Sequence, residues 1–324
     1  TAEEATIKMI KDLSLYRDKK VQVNSFPVEY WRKSYFDDGN NKPFGREYAT
    51  GFSSQTMSNH VRALVIGDLY WDIDMVKAGP SLTCSWCDKN NTDCFNLKKY
   101  IKDPDYWLNK VVTTYSDKKY SQFNIDKAKA KQLFNILLTC KNPNQFYDTW
   151  CKTNYVTKRV RKGGGTLKED KVPIGYEKSL FKALLPFGKE VVRIREEMAR
   201  NPQYSDQQAN EHAGQQLSRW LHDEEHKALV VLVNALKEQD FKVDALTFDG
   251  CHCRKNEDKP NLDKVNKKLQ EQWTFLKVKI KDTKILRDDD GKKKTISEIK
   301  KLKIFVSQKN FFNKEKITLK NIKI

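Results

Sequence analysis

Apolar and polar residues alternate most clearly between residues 67 and 77, where the chain reads GDLYWDIDMVK. Side chains two positions apart in a strand point to the same side of a sheet. This period of two therefore predicts a β-strand with Asp72 and Asp74 on one face and Trp71 and Ile73 on the other. Two carboxylates at that spacing repel each other unless they are well solvated or a cation lies between them.

A period near 3.6 residues predicts helices further along the chain. The first helical region runs from about residue 104 to 150 and includes IDKAKAKQLFNILL, in which apolar residues recur three and four positions apart and lysines lie opposite. Two more helices are predicted near residues 180–200 and 209–239. Together with the strand, these helices indicate a mixed α+β chain.

Turn-forming residues are frequent in two other parts of the chain. Residues 1–66 are predicted to mix short helix-like and turn-rich pieces, with a loop at residues 37–45. The basic, glycine-rich run at residues 159–171 is predicted to be a mobile surface loop. It lacks the Gly-Lys-Ser/Thr ending of a phosphate-cradling loop, so we do not interpret it as a nucleotide site.

A second acidic strand is predicted at residues 243–256, VDALTFDGCHCRKN, where Asp249 follows apolar Leu246 and Phe248. Gly250 beside it allows another backbone to approach closely. An Asp-Gly pair alone is most often only a turn. Two carboxylate-bearing strands together favour two-metal phosphoryl transfer, in which ions ~3.5–4 Å apart clamp the attacking and leaving oxygens. Mg²⁺, or Mn²⁺ in its place, suits carboxylate and phosphate oxygens.

Charge changes the interpretation of the whole chain, because 61 Lys and Arg residues outnumber 43 Asp and Glu residues for a formal charge of +18. This excess favours an anionic partner, with nucleic acid ahead of a membrane surface. No run of apolar residues approaches the ~18–20 needed to span a membrane, and we expect no membrane partner. The segment from Lys277 onwards is especially basic, and its phenylalanines are candidates either for base stacking or for a core.

The 7 cysteines show no regular disulfide spacing, so we expect reduced thiols in an intracellular compartment such as cytoplasm, nucleus or a viral factory. Cys84, Cys87 and Cys94, with Cys251 and Cys253, raise a zinc hypothesis, since Cys-x-x-Cys is half of a structural zinc site. The two groups are far apart in sequence, and inert thiols are the favoured interpretation.

The run YATGFSSQTMSNHVRALVIGDLYWDIDMVKAGPSL, residues 48–82, resembles the first signature block of the transposon- and virophage-type, family A-like DNA polymerases of large viruses, phages and mobile elements. In that family a "slQ…R" segment precedes a "yDIDmvNahPs" strand, polymerase motif A. Gln55, Arg62, Asp72, Asp74 and Pro80 occupy the matching positions.

Two later segments extend the resemblance over about residues 48–255, with gaps. DKAKAKQLFNILLTC is similar to the family's lysine-bearing fingers helix, with Lys131 at the lysine. The region from 210 to 250 resembles its long helix and Phe-Asp-Gly motif C, with Asn210, Gly214, Glu225 and Asp249 on the pattern.

The resemblance implies a role for each matching residue. Asp74 and Asp249 would coordinate the catalytic metals, with Asp72 as a further or assisting ligand. Lys131 would neutralise charge on the triphosphate, and Arg62 would hold triphosphate or template. For Lys131 the alternative is a solvated helix lysine.

The remaining binding candidates are Gln55, Lys77 and Glu225, and the alternative for Glu225 is a buried ion-pairing or capping role. The sequence departs from the family where Lys77-Ala78-Gly79-Pro80 replaces Asn-Ala-His-Pro. It departs again where TCKNPN, residues 139–144, replaces the expected glycines. Both departures lie near the expected nucleotide site and put activity in question.

We therefore predict an α+β fold: a polymerase-like palm on an antiparallel sheet, with a helical fingers insertion and a basic C-terminal extension. The predicted boundaries are 1–66 for an N-terminal segment, 67–276 for the palm and fingers, and 277–324 for the extension. The expected function is template-directed DNA synthesis with Mg²⁺ or Mn²⁺, a DNA template–primer and nucleoside triphosphates, within a replication or other nucleic-acid complex that has further protein subunits. The alternatives are a catalytically reduced nucleic-acid-binding subunit and a metal-dependent nuclease using the same carboxylates.

Overall fold

The computed structural model describes residues 30–37, 40–50, 54–55, 62, 69–142, 145–161, 167–200, 212–281, 286–287 and 293–294. Over these residues the chain is α+β, with helices and antiparallel sheets, as the hydrophobic pattern predicts. Several residues that the sequence singles out, among them Asn210, Phe305, Phe311 and Phe312, lie outside the described residues.

The strands of the described chain pair antiparallel throughout. In chain order they are β1 (Tyr30–Asp37), β2 (Asn40–Ala49), β3 (Tyr70–Met75), β4 (Tyr155–Arg161), β5 (Leu167–Pro173), β6 (Val243–Thr247), β7 (Gly250–Arg254), β8 (Val278–Lys281), β9 (Leu286–Arg287) and β10 (Lys293–Lys294).

Most of the described residues between β3 and β6 are helical. The α-helices are α1 (Ala78–Lys89), α2 (Phe95–Lys102), α3 (Pro104–Thr114), α4 (Lys127–Thr139), α5 (Phe146–Thr153), α6 (Lys178–Ala199), α7 (Ala213–Lys237) and, after β7, α8 (Leu262–Gln272), with a 3₁₀ helix at Lys118–Phe123.

The central sheet has four strands in the order β6-β7-β3-β8. Its apolar face includes Ile73, Cys251 and Val278, which are all buried in the main core. Helix α7 contacts β6 and β7, and α8 contacts β8. Because β8 pairs with β3, the sheet extends past the predicted boundary at residue 277 and includes the first strand of the basic segment.

Two regions predicted as turns or loops are strands. In the N-terminal segment, β1 and β2 form a hairpin, so the prediction of a loop over residues 37–45 is wrong for Asp37 and for residues 40–45. The prediction of a loop over residues 159–171 is wrong for residues 159–161 and 167–171, which belong to β4 and β5 and pair from Tyr155 with Pro173 to Arg161 with Leu167. Charged residues occupy most positions of these two strands, so the few apolar residues Val156, Val160 and Val172 do not stand out as a strand pattern. The sequence therefore resembles a solvated loop.

Helix α7 is the main support of the fold and contacts β2, α1, α4, α6 and α8. Near its start, Gly214 packs directly on the carboxyl end of α4: a Cβ there would lie 2.5 Å from the Cys140 carbonyl oxygen and 2.6 Å from that of Thr139.

The carboxyl end of α4 is also bound by Arg195 of α6. This buried side chain donates to the Cys140 carbonyl at 2.7 Å and to those of Leu137 and Leu138. A cation at this position satisfies the carbonyls that a helix end leaves open.

We predict that Gly214→Ala destabilises the fold by about 1–3 kcal/mol, because the new methyl group meets backbone atoms that cannot move aside. Gly79→Ala is the matched control, since Gly79 is likewise the second residue of its helix, α1. A Cβ at Gly79 would meet only side-chain tips, the nearest being Leu138 Cδ1 at 3.3 Å. Urea unfolding of both variants measures the difference, and equal stabilities would contradict this account of Gly214.

Candidate active site

The two aspartates of β3 lie on the polar face of the central sheet. Asp72 and Asp74 are only 6% and 8% exposed, and Ile73 between them is fully buried on the opposite face. Their register partners on the neighbouring strands are His252 and Lys281 for Asp72, and Gly250 and Lys279 for Asp74. The predicted placement of both carboxylates on one face is therefore confirmed, and they are buried rather than well solvated.

Asp249 lies in the two-residue turn between β6 and β7, beside Asp74. Its carbonyl accepts a hydrogen bond from the Met75 amide at 2.8 Å. The preceding Phe248 has a φ of 34°, a left-handed conformation that a bulky side chain seldom adopts. The next residue, Gly250, pairs with Asp74, and a Cβ there would lie 2.2 Å from the Ile73 carbonyl oxygen. Only glycine allows the two strands to approach this closely.

The pKa of Asp74 is raised by its surroundings. Burial raises this pKa to about 7, and the neighbouring Asp249 adds to the rise. Lys281 acts against it, since its ammonium lies 2.6 Å from Asp74 Oδ2. A buried carboxyl that is raised by desolvation and by a second carboxylate is typical of a functional site.

His252 lies on the same polar face, and sequence analysis missed it. Its side chain is 1% exposed, and Nε2 lies 3.7 Å from Asp72 Oδ1. Neither ring nitrogen has a hydrogen-bond partner among the described residues. Burial lowers the pKa of His252 to about 4, and Arg62 and Lys281 lower it further, so the ring is neutral at pH 7. The period of two that identified Asp72 and Asp74 also applies to β7 and could have identified His252.

Glu225 of α7 lies below Asp249 and is engaged in an ion pair. It accepts two hydrogen bonds from Arg46 of β2, at 2.5 and 3.0 Å. Burial raises the pKa of Glu225, whereas Arg46 lowers it. The Arg46 guanidinium also lies 5.7 Å from the centre of the Phe248 ring. This pair braces the turn that carries Asp249, which agrees with the ion-pairing alternative for Glu225. The sequence offered no sign of Arg46.

Gln55 joins two strands. Its side-chain oxygen accepts from the Ala49 amide at 3.0 Å, and its amide nitrogen donates to the carbonyls of Glu47 and Leu246 at 3.0 and 3.1 Å. The contact of Gln55 with a nucleotide stays a prediction. Arg62 lies near the Asp72 end of the polar face, where burial raises the pKa of Asp72 and Lys281 and Arg62 oppose that rise.

The two lysines predicted to bind nucleotide, Lys77 and Lys131, lie near each other, and Lys77 follows β3 by two residues. Lys77 precedes α1 with a φ of 51°, and its ammonium donates to the Ile101 carbonyl at the end of α2, at 3.0 Å. Burial lowers the pKa of Lys77, and the nearby ammonium groups of Lys279 and Lys131 lower it further. Lys131 is exposed on α4, and Lys279 pairs in register with Asp74. These three residues, Lys77, Lys131 and Lys279, form a lysine cluster next to the acidic strands.

The donor set of the polar face consists of hard carboxylate oxygens, which fit Mg²⁺ or Mn²⁺. Among the described residues, however, no group of three His, Cys, Asp or Glu side chains is arranged to hold a metal ion. At Asp74, one oxygen is bonded to Lys281 instead. A divalent ion at this face would have the remaining oxygens of Asp74, Asp249 and Asp72 as its carboxylate ligands.

The cysteines do not form the four-thiolate site considered for zinc. Cys84 and Cys87 interact with Cys94, whereas Cys251 and Cys253 interact with each other on the apolar face of β7. All seven cysteines are free thiols, and six of them are buried.

Comparison of the chain with family models, with curated proteins and with solved structures finds no match in any of the three. Among the helices of the described residues, none has the length and apolar character needed to cross a membrane. The functional argument therefore depends on the geometry of the polar face.

We predict that Asp74→Asn stabilises the metal-free protein at pH 8 by roughly 1 kcal/mol or more, since each unit of pKa shift is worth about 1.4 kcal/mol. The unfolded chain releases the Asp74 proton near its ordinary pKa of 3.8, and the folded chain releases it near 7. The free energy of unfolding therefore falls as pH rises between those values, and the asparagine variant lacks that fall.

Urea unfolding with EDTA at pH 5 and pH 8 measures this effect. Asp105→Asn is the control, because Asp105 is an exposed carboxylate on α3 that pairs with Lys127; it should give no gain at pH 8. An Asp74→Asn variant with the same pH dependence as the unmodified protein would show that Asp74 is not destabilised by its surroundings.

Proposed function

We propose that this protein is a template-directed nucleotidyltransferase that extends a DNA primer. The observation that carries the proposal is the closeness of Asp74 on β3 to Asp249 in the β6–β7 turn, with Asp72 on the same face and the lysine cluster near the end of β3. The order along the chain also supports it, because acidic β3 is followed by a largely helical insertion and then by the acidic β6–β7 hairpin. This arrangement supports a polymerase-like palm with a fingers insertion.

In this proposal, Asp74 and Asp249 hold the divalent ion and Asp72 assists them. When bound, Mg²⁺ or Mn²⁺ supplies positive charge for the phosphoryl oxygens and favours deprotonation of the primer hydroxyl. The protein orients the primer 3′ hydroxyl toward the α-phosphate of the incoming nucleoside triphosphate. Burial of the carboxylates keeps the reacting groups in a low-dielectric environment, where each electrostatic contact is stronger than in water.

The lysine cluster suits the triphosphate. Lys131 is exposed on α4 and able to reach a ligand, whereas Lys77 already donates to the end of α2. Ammonium groups act on phosphate as point charges and lower the free energy of the charged transition state. Arg62, on the Asp72 side, is proposed to hold triphosphate or template.

DNA as a partner is supported by the formal charge of +18 and by an aromatic row that leads to Asp249. Trp31 is 49% exposed and stacks on Tyr48 with 5.1 Å between ring centres, and Tyr48 contacts Phe248 edge-on at 5.7 Å. An exposed aromatic face next to basic residues is a common platform for a nucleobase. Further protein subunits of a replication complex remain part of the proposal.

The alternative function is a catalytically reduced, nucleic-acid-binding subunit. The ion pair between Lys281 and Asp74 favours it, because an ammonium bonded to a catalytic carboxylate competes with metal. The change from Asn-Ala-His to Lys77-Ala78-Gly79 favours it also. Both alternatives keep the DNA-binding surface, so only a measurement of synthesis separates them.

We predict that the full chain extends a primed DNA template with Mg²⁺ or Mn²⁺, and that Asp74→Asn and Asp249→Asn each lower the rate ~100-fold or more, as loss of a transition-state-stabilising group does. Asp258→Asn, at an exposed position after β7, should leave the rate unchanged. Lack of extension with every template and metal would contradict the enzyme proposal and favour the DNA-binding subunit. Shortened primers without any triphosphate requirement would indicate a nuclease instead.

We further predict that Lys131→Gln raises the apparent KM for nucleoside triphosphates about tenfold and lowers kcat less, because the exposed ammonium contributes mainly to ground-state binding of the phosphates. Lys127→Gln is the control on the same helix, since Lys127 pairs with Asp105 at 2.7 Å. Steady-state kinetics at varied triphosphate concentration distinguishes the two. Equal KM values for both variants would show that Lys131 is a solvated helix lysine without a role in triphosphate binding.

A further inference from the structure

The two carboxylate oxygens of Asp74 face different strands. Strand β3 lies between β7 and β8 in the central sheet. On the β7 side, Oδ1 lies 3.1 Å from the position that a Cβ of Gly250 would take, next to Asp249. On the β8 side, Oδ2 lies 2.6 Å from the ammonium nitrogen of Lys281. One oxygen is thus directed to the second acidic strand, and the other is bonded to a cation of the protein.

A carboxylate that bridges two metal ions has to give one oxygen to each of them. The ions of a two-metal site lie ~3.5–4 Å apart and share their bridging ligands. At Asp74 the second oxygen is taken by Lys281, so the carboxylate is left with Oδ1 for a single ion shared with Asp249. The side chain of Asp74 is 11% exposed and that of Lys281 is 44% exposed, so solvent screens this ion pair mainly from the lysine side.

Lys281 is well placed to act on both carboxylates of β3. Its backbone pairs with Asp72, and its side chain reaches along the strand to Asp74. With one divalent ion, the charges of Asp72, Asp74 and Asp249 are balanced by that ion and the Lys281 ammonium. Without a bound triphosphate, a second divalent ion would leave an excess of positive charge, to which Arg62 adds.

His252 is an independent sign that the polar face receives a ligand. Its ring is 1% exposed and aimed at Asp72, and its nitrogens lack a hydrogen-bond partner in the described part of the chain. A buried polar group without a partner costs free energy, and a bound ion with its coordinated water would supply one. This unsatisfied ring lies on the β7 side of β3, the side to which Asp74 Oδ1 is directed.

We propose that Lys281 is the second cation of the site, so that the carboxylates bind one divalent ion per chain and the lysine ammonium occupies the position of the other. This inference rests on the proposed nucleotidyl transfer and specifies its electrostatics. The Lys281 ammonium would contact the phosphoryl oxygens that a second metal contacts in a two-metal site. Its loss would leave Asp74 Oδ2 able to bind a metal.

The test counts bound Mn²⁺. The full chain is bound to a primed DNA duplex and a non-hydrolysable triphosphate, and electron paramagnetic resonance measures the number of ions and any spin coupling between them. We expect one uncoupled Mn²⁺ per complex for the unmodified protein. We expect two coupled ions for Lys281→Met, because two Mn²⁺ ions ~4 Å apart interact magnetically.

Two further variants serve as controls. Lys127→Met removes a lysine of α4 that pairs with Asp105 instead of Asp74, and it should retain one ion. Lys281→Arg keeps the charge and should also retain one. If Lys281→Met does not fold, the count in the unmodified protein still tests whether the carboxylates bind one divalent ion.

Two coupled ions in the unmodified protein would overturn the role of Lys281 and leave the proposed function intact. A single ion in Lys281→Met would overturn the role in the same way. Absence of bound Mn²⁺ in every variant would overturn the proposed function itself, and the inference with it.

Discussion

The close approach of β7 to β3 at Gly250 is the constraint on which the polar face depends. The Ile73 carbonyl occupies the space that a side chain at residue 250 would need, and the Asp249 carbonyl accepts from the Met75 amide. These contacts fix the carboxylates of Asp74 and Asp249 beside each other while they are partly removed from water. Burial, followed by repulsion from Asp249, raises the pKa of Asp74 to about 7. A fold without a use for this arrangement would gain stability by replacing one of the two acids.

Residues on several other elements offset the free-energy cost of holding the two carboxylates next to each other. Lys281 of β8 bonds to Asp74, and Arg46 of β2 pairs with Glu225 beneath the Asp249 turn. The β1–β2 hairpin is itself tied to α7, since Arg32 and the Gly45 amide both bond to Asp223 at 2.9 and 2.6 Å. Segments far apart in sequence therefore converge on one turn.

The sequence was a good guide where local periodicity reflects burial. The alternation around Asp72 and Asp74 predicts β3, and the spacing of Leu133, Leu137 and Leu138 predicts α4, because both patterns arise from one buried face. The β1–β2 and β4–β5 hairpins were missed, since their strands are rich in charged or turn-forming residues and are stabilised by pairing and by tertiary contacts. Propensity gives little information about such strands.

For the candidate site, the sequence indicated the acids but not their partners. The motifs and the period of two identify Asp72, Asp74 and Asp249 as candidates. They do not identify Lys281, because it is one lysine among many in a basic segment. Arg46 and Glu225 are 179 positions apart, and no local pattern encodes a pair of that separation. His252 was hidden between two cysteines that attracted the zinc hypothesis. Pairings between distant segments are decided by the tertiary fold, which a single sequence does not display.

The central claim is that Asp74 and Asp249 share a divalent ion. It is tested most directly by a crystal structure of the protein soaked with Mn²⁺ and a nucleoside triphosphate, with anomalous diffraction recorded to locate the metal. The account predicts an anomalous peak within coordination distance, about 2.0–2.4 Å, of one oxygen from each carboxylate. Carboxylates more than ~8 Å apart, or a peak bound to the triphosphate but to neither aspartate, would contradict it.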